Sequence, residues 1–206
     1  MGEKQFKAER RMNFLETGFS LFSTKGISSV SMQEVADKSG CGIATLYRYF
    51  HTKAELVVAV SAWKWSEYYK EINSGEETET TAAQDLAFFL DSFVDLYRNH
   101  KDLLRFNQFF NIYVFSEQIG EGELGSYQTF IRFLEEGFHE LAEKAQRDGT
   151  MRTDIPEKVI FSTTLHLMMA AATRYAVGLI YQPEEGYDPE DELIFLRNAL
   201  MEKYCC

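Results

Sequence analysis

Ser31-Met-Gln-Glu-Val-Ala-Asp-Lys-Ser-Gly-Cys-Gly-Ile-Ala-Thr-Leu-Tyr-Arg-Tyr-Phe-His-Thr-Lys53 decides the fold. Ser31 and Glu34 have capping-box spacing. The hydroxyl can accept from the Glu34 amide, and the carboxylate can reach back to the Ser31 amide. Val35 and Ala36 give the short helix a buried face. Ser39-Gly40 stops it, because glycine takes the left-handed backbone that ends helices. Gly42 is an acceptable N-cap for a second helix. In that helix Leu46 and Phe50, four residues apart, share a face, so Thr45, Tyr47 and Arg48 point elsewhere. Thr52 and Glu55 form a second capping box, which opens a third helix. Two short helices around a glycine turn make a helix-turn-helix, whose second helix enters the DNA major groove.

The run Gly40-Cys41-Gly42-Ile43-Ala44-Thr45-Leu46-Tyr47-Arg48-Tyr49-Phe50, followed by Lys53 and Leu56, closely resembles the signature of the tetracycline-repressor (TetR) family of transcription regulators. The resemblance implies an all-α chain of about nine helices. A DNA-binding head at 1–53, with its motif at 31–50, would be joined by a long helix to an effector-binding and dimerisation domain at 54–206. Two departures from the family pattern stand out. Gly42 replaces a common Ser or Thr at the helix cap, and His51 replaces a frequent Pro.

Composition agrees with an all-α chain. Only 3 Pro occur among 206 residues, and the apolar residues recur at helical spacing. No charge-free apolar run reaches the roughly 20 residues that span a bilayer. The N-terminal MGEKQFKAERR lacks an apolar signal region, and Phe6 occupies the place where a myristoylation motif needs Ser or Thr. Three cysteines, two of them the adjacent Cys205 and Cys206, do not form a disulfide framework, so a reducing cytoplasm is the simplest expectation. Cys41 reads as a small packing residue in the turn, and Cys205-Cys206 as a frayed end.

The formal net charge of -11 argues against a DNA binder until its distribution is examined. Residues 1–53 hold eight Lys and Arg against five Asp and Glu, a net of +3, which leaves −14 on the remainder. A basic head on an acidic body suits a protein that sets one end on phosphate. Acidic surface also serves solubility, and both readings stand.

Outward from the motif, helix 1 is expected over about Glu3–Thr24, with Met12, Leu15, Phe19 and Phe22 as its stripe. Lys4, Lys7, Arg10 and Arg11 on that helix fit either phosphate contact or a solvated face. Helix 4 starts at Lys53 and runs to about Asn73, long enough to connect head and body. Residues 74–80 read as a polar loop. Thr81–Gln84 caps helix 5. Helix 6 (Leu103 to Phe115) is apolar nearly all round, which predicts burial on more than one side. Helix 7 carries Tyr127, Phe130, Ile131, Leu134, Phe138 and Leu141. Helix 8 opens at Ile155-Pro156 with Pro in the first turn, runs to about Tyr181 and is the most apolar. Asp188-Pro189 caps helix 9. Two strongly apolar C-terminal helices fit a homodimer through those helices, or a central helix in a monomer. Ala170–Ala172 permits close backbone approach.

By the resemblance, Tyr47 and Lys53 match the family's phosphate contacts. Ser31 and Thr45 are further phosphate candidates, while Gln33, Gly42, Ile43, Ala44 and Arg48 could approach base edges. Arg48 suits guanine O6 and N7, and Ile43 or Ala44 suits a thymine methyl. Tyr49 should pack the head. An effector pocket among helices 4 to 8 is implied, with candidate lining from Phe89, Phe93, Tyr97, Phe106, Phe110, Tyr113, Phe130, Phe133, His166, Met169 and Tyr175, each of which also reads as ordinary core. The aromatic excess, with His166 and Arg174 on an apolar helix, points to a large, flat, mostly hydrophobic ligand, unless those charges pair with each other.

Rival classes find less support. The four His lie on four different elements, no HExxH or CxxC is present, and no cofactor, metal or catalytic residue is expected. A small-molecule binding or interaction protein would not need the basic head. The expected function is a ligand-released homodimeric repressor on a palindromic operator. An activator or a binding protein without DNA regulation is the alternative.

Overall fold

These periodicities become nine helices among the described residues of the computed structural model, which are 2–74, 79–178 and 188–206. The helices are α1 (Gly2–Lys25), α2 (Met32–Lys38), α3 (Ile43–Tyr49), α4 (Lys53–Ile72), α5 (Ala82–Asn99), α6 (Lys101–Ser116), α7 (Gly125–Asp148), α8 (Glu157–Val177) and α9 (Pro189–Tyr204). No strand is formed among these residues, so the chain is all-α. Leu179, Ile180 and Tyr181, expected in α8, and most of the loop at 74–80 lie outside the described residues. The helices fall into two compact units. One is Met1–Glu71 with Arg105–Phe130, and the other is Ile72–Leu104 with Ile131–Cys206.

The first unit is built on α1, whose buried sector is wider than the expected stripe. Phe14, Leu15, Phe19, Leu21 and Phe22 are all buried, while Met12 is 37% exposed. One flank of α1 meets the short helices and the other meets α4 and α6, so the C-terminal half buries two adjacent faces. Phe14 lies edge-on to Tyr49 of α3 at 5.5 Å. Phe19 meets Trp63 of α4 and Phe106 of α6. α6 is more one-sided than its sequence implies. Phe106, Phe110 and Tyr113 are buried, but Ile112 and Phe115 face outward.

In the second unit α5, α8 and α9 pack on one another. Phe89 and Phe93 of α5, Phe138 of α7 and Phe161 of α8 form its aromatic centre, with centroids 5.2–6.2 Å apart. Arg197 of α9 forks onto Asp91 of α5, and Arg98 of α5 pairs with Glu190 of α9. α8 buries Ile160, Phe161, Thr164, Met168 and Ala172 but leaves Val159, Leu167 and Val177 exposed. Pro156 sits at the N-cap of α8, one position before the first turn expected for it. Asp188 caps α9 with Pro189 at its start, as the sequence suggests.

The C-terminus is not frayed. The Arg152 amide donates to the Tyr204 carbonyl at 2.8 Å, and the Cys206 amide to the Thr150 carbonyl at 3.1 Å. Met151 and Cys205 thereby form an isolated antiparallel bridge. Two tail residues that look unstructured alone acquire partners from the turn between α7 and α8. Burial pushes the Cys205 thiol up.

Asp148 fastens the start of α5 across 66 positions of sequence. Its carboxylate accepts from the Ala82 amide at 2.7 Å and from the Thr150 amide at 2.9 Å. Thr81 and Gln84 complete a reciprocal capping box on the same helix end. The Thr150 and Ala82 amides hold the Asp148 carboxyl below the usual carboxylate range. A depressed folded-state pKa gives stability that is present above the unfolded value, near 3.9, and is lost as pH falls through the folded value. Asp148→Ala should therefore melt below the wild type at pH 7. The gap should close as the solution is acidified below about pH 4. A gap unchanged at pH 2.5 would contradict this.

Candidate nucleic-acid interface

α2 ends in a Schellman motif. Gly40 has φ +70, its amide donates to the Asp37 carbonyl, and the Cys41 amide donates to the Ala36 carbonyl at 3.0 Å. A further lock comes from α1, where Asn13 Nδ2 donates to the Ser39 carbonyl at 2.9 Å. Asn13 was not apparent from the sequence, because its partner is a carbonyl 26 residues away. Its one signal is a lone amide beside apolar positions on α1.

At the other end of α2 the Ser31 hydroxyl accepts from the Glu34 amide at 3.1 Å. The expected return bond is absent among the described contacts. The Glu34 carboxylate instead takes Lys25 Nζ at 2.5 Å, because the C-terminus of α1 brings a cation within reach. The box before α4 is shifted similarly. Glu55 Nα–H donates to the Thr52 hydroxyl at 3.0 Å, while the Glu55 carboxylate accepts from the His51 amide at 2.7 Å.

These anchors fix the rotation of α3. Leu46 is fully buried and Phe50 is 1% exposed. The opposite side therefore faces out. Ala44 and Arg48 are exposed, Tyr47 is 45% exposed, and Ile43 and Thr45 are half-buried. Arg48 makes only a long contact to the Thr45 hydroxyl, 3.4 Å, and has no ion pair among the described residues. Gly42 is exposed at the N-cap with no side-chain bond, which leaves that helix end open to close approach. Ser31 and Gln33 are exposed on α2, and Gln33 donates to Asp37 at 2.6 Å. Tyr49 packs on Phe14, the core role expected of it.

Lys53 is placed differently from the rest. Its Nζ lies 3.4 Å from the Ser28 carbonyl and 5.5 Å from the centre of the Tyr113 ring. Burial lowers its pKa, partly offset by the Glu117 carboxylate. Lys53 is thus tucked beside α6 rather than extended with Tyr47. On α1, Arg11 lies over the Phe50 ring and Lys7 pairs with Glu3.

The candidate effector residues are divided between the two units. Phe106, Phe110, Tyr113 and Phe130 belong to the first unit, where Phe130 stacks on Trp65. Phe89, Phe93, Tyr97, Met169 and Tyr175 belong to the second, where Tyr97 meets Tyr175 and the Tyr175 hydroxyl bonds Glu192. Phe133 and His166 are exposed, as is Arg174.

Two helices, a left-handed glycine turn and an outward face on the second helix define a helix-turn-helix protein. Comparison with known proteins agrees. Residues 14–60 match the model of the bacterial regulatory proteins of the tetR family. The HTH-type transcriptional repressor KstR of Mycobacterium tuberculosis is 30% identical over 82 residues, 40% of this chain and 37% of that protein. KstR of Rhodococcus jostii is 39% identical over 54 residues, 26% of each chain. The matched segments thus span well under half the length of these relatives. Among solved structures, a putative regulator from Saccharomonospora viridis in complex with choline superposes with a TM-score of 0.76 at 17% identity, covering 97% of this chain and 99% of that one. The ketosteroid regulator KstR2 of M. tuberculosis gives 0.63 at 13% identity, covering 96% and 95%. At such identities the structural likeness bears on the fold.

Proposed function

We propose that the chain is a homodimeric repressor of transcription that binds a palindromic operator and is released by a small, mostly hydrophobic or aromatic effector. The observation that carries the DNA half is the rotation of α3, with Leu46 and Phe50 inside and Ala44, Tyr47 and Arg48 outside. Ser31, Gln33, Gly42, Ile43 and Thr45 flank that face, and Lys53 joins it on leaving the Tyr113 ring. The basic excess of residues 1–53 supports the same surface. Repression is supported by the names of the KstR relatives. An effector is supported by the choline complex of a structural relative.

In a dimer two α3 helices would occupy successive major grooves, roughly 34–36 Å apart. An effector that favours another head spacing weakens DNA binding, and DNA weakens effector binding by the same factor. α4, which begins at Lys53, would carry the movement.

Operator selection with purified protein, followed by gel shift, tests this. Arg48→Ala should weaken binding by about ten- to a hundredfold and relax preference at one base pair per half-site, as for the loss of a guanine contact. Failure to bind any fragment upstream of its own or adjacent genes at low salt would overturn the DNA reading.

A further inference from the structure

α4 holds two buried hydrogen-bond donors that no described residue satisfies. Ser61 is 0% exposed and Trp65 5%, and neither Ser61 Oγ nor Trp65 Nε1 has a partner. They sit one turn apart on a stripe with Val57 and Tyr68, all buried. A serine inside a helix normally has the carbonyl of the preceding turn at hand, and Ser61 does not use it. Native proteins keep few such orphans, because an unpaired buried donor is destabilising.

The surroundings are aromatic, and all of them belong to the first unit. The Trp65 indole stacks on Phe130 of α7 at 6.2 Å and 19°, with Tyr68 edge-on at 6.3 Å. One turn before Phe130, Tyr127 lies 5.0 Å from Phe110 of α6. Burial raises the pKa of the Tyr127 hydroxyl. Phe110 continues to Phe106 and Phe19.

We propose that Ser61 and Trp65 bind the polar end of a flat, mostly apolar molecule through an uncharged oxygen acceptor such as a ketone or ester carbonyl. Its apolar body lies along Trp65, Phe130 and Tyr127. An indole N–H only donates, so the ligand must supply the acceptor. A carboxylate does not fit, since it would be buried without a counter-charge. Lys64, the adjacent cation on α4, is paired with Glu67 at 3.2 Å and lies over the Phe19 and Trp63 rings. This assignment rests on the effector half of the regulator reading and names the ligand class for it.

The test uses the full chain and two probes of nearly equal shape, 2-acetylnaphthalene and 2-ethylnaphthalene, which differ in one carbonyl. Tryptophan fluorescence and thermal shift report binding without DNA. The acetyl probe should bind about tenfold tighter, the value of one hydrogen bond to a buried donor. Ser61→Ala and Trp65→Phe should each cut that preference, and without probe Ser61→Ala should melt no lower than the wild type. Equal affinities in the wild type, no saturable binding of either probe, or variants that lower both affinities alike would overturn the assignment. Adding the acetyl probe to the operator complex separates the two readings. Binding with the carbonyl preference but without release of DNA leaves the site standing and removes the effector role.

Discussion

Leu46→Ala should unfold the head locally, while Tyr47→Ala, one residue on, should leave it folded, and both should lose operator binding. Leu46 is fully enclosed, and emptying such a site costs about 2–5 kcal/mol through lost burial and the cavity left behind. The loss falls on a helix of only seven residues, which has no stability of its own apart from packing. Tyr47 is 45% exposed, so truncating it changes stability by no more than about 0.5 kcal/mol. A lost hydrogen bond to a charged phosphate is worth roughly 1.5–3 kcal/mol, about ten- to a hundredfold in affinity per head. Hydrogen exchange of the α2 and α3 amides distinguishes the two causes, since protection should collapse in Leu46→Ala alone. Equal loss of protection in Tyr47→Ala would place that ring in the core and take it off the DNA face.

What could be read from the sequence here was local. Ser31, Thr81 and Asp188 act on amides two or three residues away, and Gly40 on its own φ. Such chemistry is written in adjacent letters. The two faces of α3 were legible for the same reason, because period 3.6 separates Leu46 and Phe50 from Tyr47. What stayed hidden depends on partners remote in sequence. The Glu34 carboxylate had a choice between the Ser31 amide and a cation, and only the end of α1 supplies Lys25. Lys53 looks like a plain phosphate ligand until Tyr113, sixty positions on, is placed beside it. The outward turn of Ile112 and Phe115 on α6 cannot be told from a helix apolar all round. Ser61 and Trp65 carry no signal in the sequence, because an unpaired donor is visible only when every neighbour is known.

Ala170→Arg should convert the protein from dimer to monomer with little effect on the fold of the chain. The expectation concerns the homodimer proposed through the last two helices. Along α8, positions 159, 163, 166, 170, 174 and 177 recur at helical spacing, and none of them is buried within the single chain. Val159 and Val177 at the ends of this stripe are 48% and 50% exposed, and Leu167 beside it is 44% exposed. Phe195 on α9 is 75% exposed. Apolar side chains left open at these levels on two helices suit a mate of the same kind, because a self-complementary patch recurs on both subunits of a two-fold dimer. Ala170 lies at the middle of the stripe, where a small side chain permits close helix approach. An arginine there is harmless in a monomer, since the position is exposed. In a dimer it adds bulk and an unpaired cation near Arg174 and the corresponding residues of the partner, which costs about 3–5 kcal/mol. Sedimentation should show half the wild-type mass at micromolar concentration, with an unchanged helical signal. Operator affinity should fall steeply, because a lone head meets one half-site. An unchanged mass would move the dimer surface off α8. A monomer that still binds the full operator as tightly as the wild type would show that a single head suffices for recognition, and the palindrome would lose its reason.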